Sequence, residues 1–280
     1  MYVEYVIAKY GPCSVIIFDG YLNGPSTKDH EHSRRSTKSS ANIIFEPAMK
    51  PTTDLQSFFA NMHNKKHFIS VLKMYLENAD LRVKQAESDA DTLIASNALR
   101  FASEKEPVTV ICDDTDVLVL LVYHFKPDMS DIYMRSDPKR GQKKGLKLYS
   151  IRDIQAKLGC DVILYVLSIH AWSGCDTTSA IFSKGKSIAM NKILGSVHAR
   201  ELLTAIGTGS STPAEVGKAG VKLFLFMYGG NTIDSLACVR YNSYMKMSAS
   251  GKPLQPERMP PTERAARFHS LRVHAQIVDW

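Results

Sequence analysis

The sequence predicts an α/β fold, with a mostly parallel central sheet flanked by helices and a helical C-terminal region. Two observations carry this. Short apolar runs of strand length, Ser14–Phe18 (SVIIF) and Pro107–Cys112 (PVTVIC), alternate with longer segments of helical spacing. Each of the two runs also ends in an acidic turn, as a buried parallel strand does when its carboxyl end faces a ligand.

The elements follow in order. Residues 1–10 read as a short helix, and SVIIF as a strand ending at Asp19-Gly20. Residues 23–41 are polar and basic, a loop or a solvated helix. Asp54 is placed as a helix N-cap, followed to about Asn78 by apolar residues at largely helical spacing. Leu81–Lys84 is a short strand, Ala90–Ala102 a helix, and PVTVIC a strand. That strand runs into Asp113-Asp114-Thr115-Asp116 and an apolar helix reaching Phe125. Ile132–Arg135 and Leu146–Tyr149 flank a Gly/Lys-rich turn and read as a hairpin. Helices are expected over 151–159, 161–172, 186–195, 231–246 and 262–278. The domain reading is 1–195 for the α/β part and 196–280 for the helical region.

The 280 residues, 44% hydrophobic and 22% charged, suit a globular chain with its own core. Thirty-five Lys and Arg against 28 Asp and Glu give a net charge of +7, which favours polyanionic partners. The acids gather in tight clusters and the bases spread between them. Five cysteines at wide spacing, without a CxxC pair, argue against a disulfide framework or a cysteine zinc site. Three of them stand in apolar surroundings and are expected as core thiols. No signal peptide or run of 18 apolar residues is seen, so the expectation is a nuclear or cytoplasmic protein without a membrane partner. No GxSxG, HExxH, P-loop or GxGxxG signature in helix context is present, which sets aside the chemistries those motifs serve.

Six carboxylates stand at strand ends or helix starts: Asp19, Asp89, Asp91, Asp114, Asp116 and Asp176. Taken singly, each reads as a cap or a turn residue. Taken together at one sheet edge, they read as a site. Crowded carboxylates repel unless protonated or bridged by cations. A carboxylate-rich, imidazole-poor set suits Mg²⁺ or Mn²⁺. Two such cations can activate water and stabilise the leaving oxygen of a phosphodiester. His124, His170 and Trp172 lie in or beside apolar runs and read as packed core residues.

These motifs resemble the flap-endonuclease (5′-nuclease) branch of the PIN-like nuclease superfamily. SVIIFDG, followed by Lys28 and the Arg34-Arg35 pair, is similar to that family's strand ending in FDG and leading into a basic helix. Asp89-Ala90-Asp91 is similar to its E-A-E element, Asp113-Asp114-Thr115-Asp116 to its E-D-x-D element, and Gly174-Cys175-Asp176 to its G-S/C-D element. The order agrees over residues 1–195. The chain is closer still to uncharacterised PIN-like proteins of invertebrate genomes that carry DADT, DDTDVLVLL, SGCDTTSA and a PPTERAARFHSLRVH ending.

The resemblance implies a metal-dependent nuclease acting on DNA or RNA. Asp91, Asp114, Asp116 and Asp176 would hold the metal, and Asp19 and Asp89 would complete the pocket. Lys28, Arg34 and Arg35 would stand toward the scissile phosphate, and Lys184, Gly185 and Lys186 would grip a nucleic-acid backbone. The chain departs from the family pattern at its beginning, downstream of the family's first strand and its metal-binding Asp. The expected site therefore lacks one corner. Ser183 stands where the family has the first Gly of its backbone-gripping turn, so a negative φ there would weaken the turn. The alternative is a catalytically inactive nucleic-acid-binding remnant, of mobile-element origin. A Mg²⁺-dependent phosphatase or glycosyltransferase is disfavoured, because no D-x-D-G-T motif follows a strand.

Overall fold

A computed structural model of the chain describes residues 2–20, 40–46, 49–50, 53–137, 145–231, 233–251 and 255–280. It is an α/β protein that divides into two compact units, residues 1–97 and 98–280.

The N-terminal unit opens with α1 (Tyr2–Tyr10) and β1 (Val15–Phe18), then α2 (Leu55–Ala60), α3 (Met62–Glu77) and β2 (Arg82–Gln85). β1 and β2 pair in parallel, with Val15 opposite Arg82 and Phe18 opposite Gln85. Their short ladder is covered by Val6, Leu76 and Leu81, with Ile16, Phe18 and Val83 packed against them. The single helix expected after Asp54 is two helices. Asp54 caps the first, its side chain accepting from Ser57 N at 2.8 Å. Asn61 leaves the helical conformation and caps the second, accepting from the amides of His63 and Asn64. Asn64 is buried with its amide fully used: it accepts from Ile43 N and donates to Ser40 Oγ and Ala41 O, which binds segment 40–46 to α3.

The helix α4 (Ala90–Ser103) begins in this unit and ends in the next. The C-terminal unit continues with β3 (Val108–Ile111), α5 (Thr115–His124), β4 (Ile132–Ser136), β5 (Lys147–Ser150), α6 (Ile151–Leu158) and α7 (Cys160–Ser173). Then come α8 (Lys186–Leu194), α9 (Val197–Gly207), α10 (Pro213–Met227), α11 (Leu236–Ala249) and α12 (Glu263–Asp279). β3 pairs in parallel with β4, and β4 antiparallel with β5, the expected hairpin. Among the described residues the strands thus form two small sheets, of two and three strands, in place of one central sheet. Each sheet is built on strands of only four or five residues, and the helices supply most of the structure.

β3 delivers the chain to α5, whose Val117, Val119, Leu120, Leu121 and Val122 are all buried. The far end of α5 is fixed from α6: Gln155 Nε2 donates to the carbonyls of Val122 and Phe125. Arg152 beside it donates to Asp131 and to the carbonyls of Pro127 and Met129. The main core lies among α7, α8, α9, α10 and α12, around Trp172, Leu203, Leu223, Phe224 and Val273. It joins residues on both sides of residue 195.

None of the five cysteines is a core thiol. All are free; Cys13, Cys160 and Cys238 are exposed, and Cys112 and Cys175 half-buried. An apolar stretch of sequence does not decide which face a residue takes, and none of these side chains is fully buried. Among the described residues no single helix is long and apolar enough to cross a membrane.

Candidate metal centre

The site begins with the local chemistry of a strand-to-helix turn. β3 ends at Ile111, and Asp114 takes extended backbone angles as the N-cap of α5, accepting from Asp116 N at 2.8 Å. Asp116 sits in the first helical turn, where the positive end of the helix dipole favours a carboxylate. Capping thus brings two acids onto one turn, and their carboxylate oxygens lie within 4.8 Å of each other. Asp114 is exposed and Asp116 half-buried. The cap engages one oxygen of Asp114, and an ionised carboxylate has about four acceptor sites. Carboxylate oxygens grouped in this way could hold a metal ion.

Asp116 is backed by a buried imidazole. His170, on the last turn of α7 and 4% exposed, places Nε2 at hydrogen-bond distance, 2.7 Å, from Asp116 Oδ1. On its other side Lys186, the first residue of α8, reaches Nδ1 at 3.0 Å. The same ammonium donates to Gly174 O at 2.7 Å. Lys186 is exposed as a residue, while its ammonium is held by these two contacts. Burial lowers the pKa of that ammonium, and Asp116 and Cys175 oppose the shift. The Trp280 ring packs on His170 at 5.8 Å. Sequence reasoning placed His170 in the core and missed this role. The one available signal was its place six residues before Asp176, at the end of an apolar helix.

Asp176 lies exposed on the turn that follows α7 and does not join Asp114 and Asp116 within 4.8 Å. The turn itself is tightly specified. Gly174 has φ +116°, and a Cβ there would stand 2.7 Å from Ala180 Cα, which only glycine avoids. Thr178 holds it further, donating to Ala171 O and accepting from Cys175 N. Downstream, Ser183 has φ +55°, so a serine holds a left-handed conformation that usually falls to glycine. Lys184 lies over the Tyr228 ring at 5.3 Å, and burial, then Lys192, lower its pKa. Gly185 is the N-cap of α8.

In the N-terminal unit, parallel pairing brings the ends of β1 and β2 side by side. Asp19 follows β1; it is exposed, 4.0 Å from the Lys65 ammonium, and its carbonyl accepts from Gln85 Nε2. Gly20 closes the turn against the loop after β2, its amide donating to Ser88 O at 2.7 Å. A Cβ at Gly20 would meet Ala86 O at 2.0 Å. Asp89 directly precedes α4 and is half-buried; Asp91, in the first turn, is buried. Lys28, Arg34 and Arg35 lie outside the described residues, as do the basic residues at the tip of the β4–β5 hairpin. Comparison of the chain with protein-family models, with curated proteins and with solved structures finds no match.

Proposed function

We propose that this chain is a divalent-metal-dependent nuclease of the PIN-like, 5′-nuclease kind, which hydrolyses phosphodiester bonds of DNA or RNA. The observation that carries the reading is the Asp114–Asp116 pair at the carboxyl end of β3, braced by His170. Asp91, at the head of α4, is the third ligand in this reading and supplies a carboxylate of the same kind. Asp176 is the fourth, and Asp19 and Asp89 complete the pocket; these assignments rest on the resemblance of the motifs. Mg²⁺ or Mn²⁺, when bound, would activate water and neutralise charge on the phosphate. The protein's own share is to hold the acids in place against their mutual repulsion and to orient Asp116 through His170. The net charge of +7 supports a polyanionic substrate. Lys28, Arg34, Arg35, Lys184 and Gly185 are the candidate backbone contacts; Lys186, expected among them, is instead engaged by His170 and Gly174.

One observation favours a second reading, a catalytically inactive nucleic-acid-binding protein. Lys186 supplies a positive charge to Asp116 through His170 from within the chain, which relieves part of the need for a metal. Cleavage of labelled single-stranded, flap and duplex substrates in Mn²⁺ and Mg²⁺ separates the two. Asp114→Asn is the control, because asparagine caps a helix as well as aspartate but carries no charge. The nuclease reading expects metal-dependent cleavage that falls roughly a hundredfold or more in the variant. Binding without cleavage, equal in both proteins, would establish the second reading.

A further inference from the structure

We infer that His170 is a positioning residue for Asp116, and that Lys186 fixes the imidazole tautomer through which it acts. The inference rests on the reading of Asp114 and Asp116 as cation ligands. An ionised carboxylate only accepts hydrogen bonds, so the His170 Nε2 that lies 2.7 Å from Asp116 Oδ1 carries the proton. An ammonium only donates, so Nδ1, 3.0 Å from Lys186 Nζ, is the acceptor. The hydrogen-bond pattern therefore points to an Nε2–H ring with both nitrogens satisfied. The other tautomer would set donor against donor at Lys186 and acceptor against acceptor at Asp116. At 4% exposure little solvent is available to repair either mismatch.

The consequence reaches three elements. Asp116 stands on α5, His170 on α7 and Lys186 on α8, and the Lys186 tip also grips Gly174 in the turn that leads to Asp176. One carboxylate oxygen of Asp116 is pinned, which restricts rotation of the group and directs its remaining acceptor capacity. Partners of this type behind a ligating group set its orientation and basicity, and their removal weakens metal affinity about 10–100-fold. Lysine at 186 serves here as an internal anchor, a different use from the phosphate contact expected of that turn.

The test pairs a spectroscopic readout with a binding one. In the metal-free protein, nitrogen-15 NMR of the His170 ring is expected to show a single Nε2–H tautomer with a hydrogen-bonded Nδ1. Lys186→Met should move the Nδ1 resonance to that of an unbonded nitrogen. For binding, Mn²⁺ affinity is measured by calorimetry on the full chain, with folding checked by circular dichroism. His170→Leu keeps bulk alone and should weaken Mn²⁺ about tenfold or more. His170→Gln offers an amide donor to Asp116 and a carbonyl acceptor to Lys186, and should remain within about threefold of the parent. An Nδ1–H tautomer in the parent overturns the inference. So does Mn²⁺ binding that depends on Asp114 yet is indifferent to His170→Leu, or a glutamine variant as weak as the leucine one. A parent chain that binds no Mn²⁺ overturns the cation-site reading itself, and the inference with it.

Discussion

At the scale of single residues, the two buried histidines of the C-terminal unit serve opposite ends. His170 faces a carboxylate and a lysine and belongs to the candidate site. His269, on α12 and 5% exposed, donates instead to the carbonyl of Trp172 in the centre of the core. Burial brings its pKa down to about 4; the Trp172 carbonyl opposes the shift and Arg272 adds to it. Its folded pKa thus lies below the unfolded value near 6.5, and the native state needs the ring neutral. Its contribution is complete above pH 6.5 and is lost as the pH falls toward 4, because the unfolded chain then binds the extra proton. The loss reaches roughly 3 kcal/mol. Denaturant unfolding of the parent and of His269→Gln, which keeps a donor to Trp172, checks this. The parent should lose stability faster than the variant between those pH values, and parallel curves would rule the mechanism out. The acids at 114 and 116 were legible in the sequence because a run of aspartates after a buried strand is a local pattern. His170 was not, since its partners lie 54 and 16 residues away and an apolar helix hides a polar contact made on its inner side.

At the scale of elements, helix packing in the C-terminal unit depends on small residues where α10 meets α12. A Cβ at Gly220 would stand 1.7 Å from Ser270 Oγ and 2.4 Å from its Cβ, so the two helices approach too closely for any other residue. Gly220→Ala is expected to cost about 1–3 kcal/mol of stability through overpacking. Adding Ser270→Gly removes both colliding atoms and should recover part of that loss in a double-mutant cycle. Additive losses would show that the contact is not the cause. Element types were largely legible, from α1 through the hairpin to the last helix, because their apolar spacing is clear. The break between α2 and α3 was not, since the apolar pattern runs on while Asn61 alone interrupts it by capping the second helix. Nor was the division of the strands into two sheets, because pairing is a tertiary choice that the strands' own residues leave open.

At the scale of the whole molecule, the proposed function draws on the excess of basic residues and the clustering of acids, which together would suit a polyanion met by metal ions. The main core joins α7, which leads into the Asp176 turn, and α8, which begins at Lys186, to the helices beyond residue 195. The account's central claim is that Asp114 and Asp116 hold a divalent cation. A titration with Mn²⁺ followed by electron paramagnetic resonance tests it most directly, with the parent chain set against Asp114→Asn and Asp116→Asn. Both amides preserve hydrogen bonding at their positions, so the fold is left intact while ligand charge is removed. The account predicts saturable binding by the parent, weakened at least about tenfold by either substitution. Equal binding by all three proteins, or none by the parent, would contradict it.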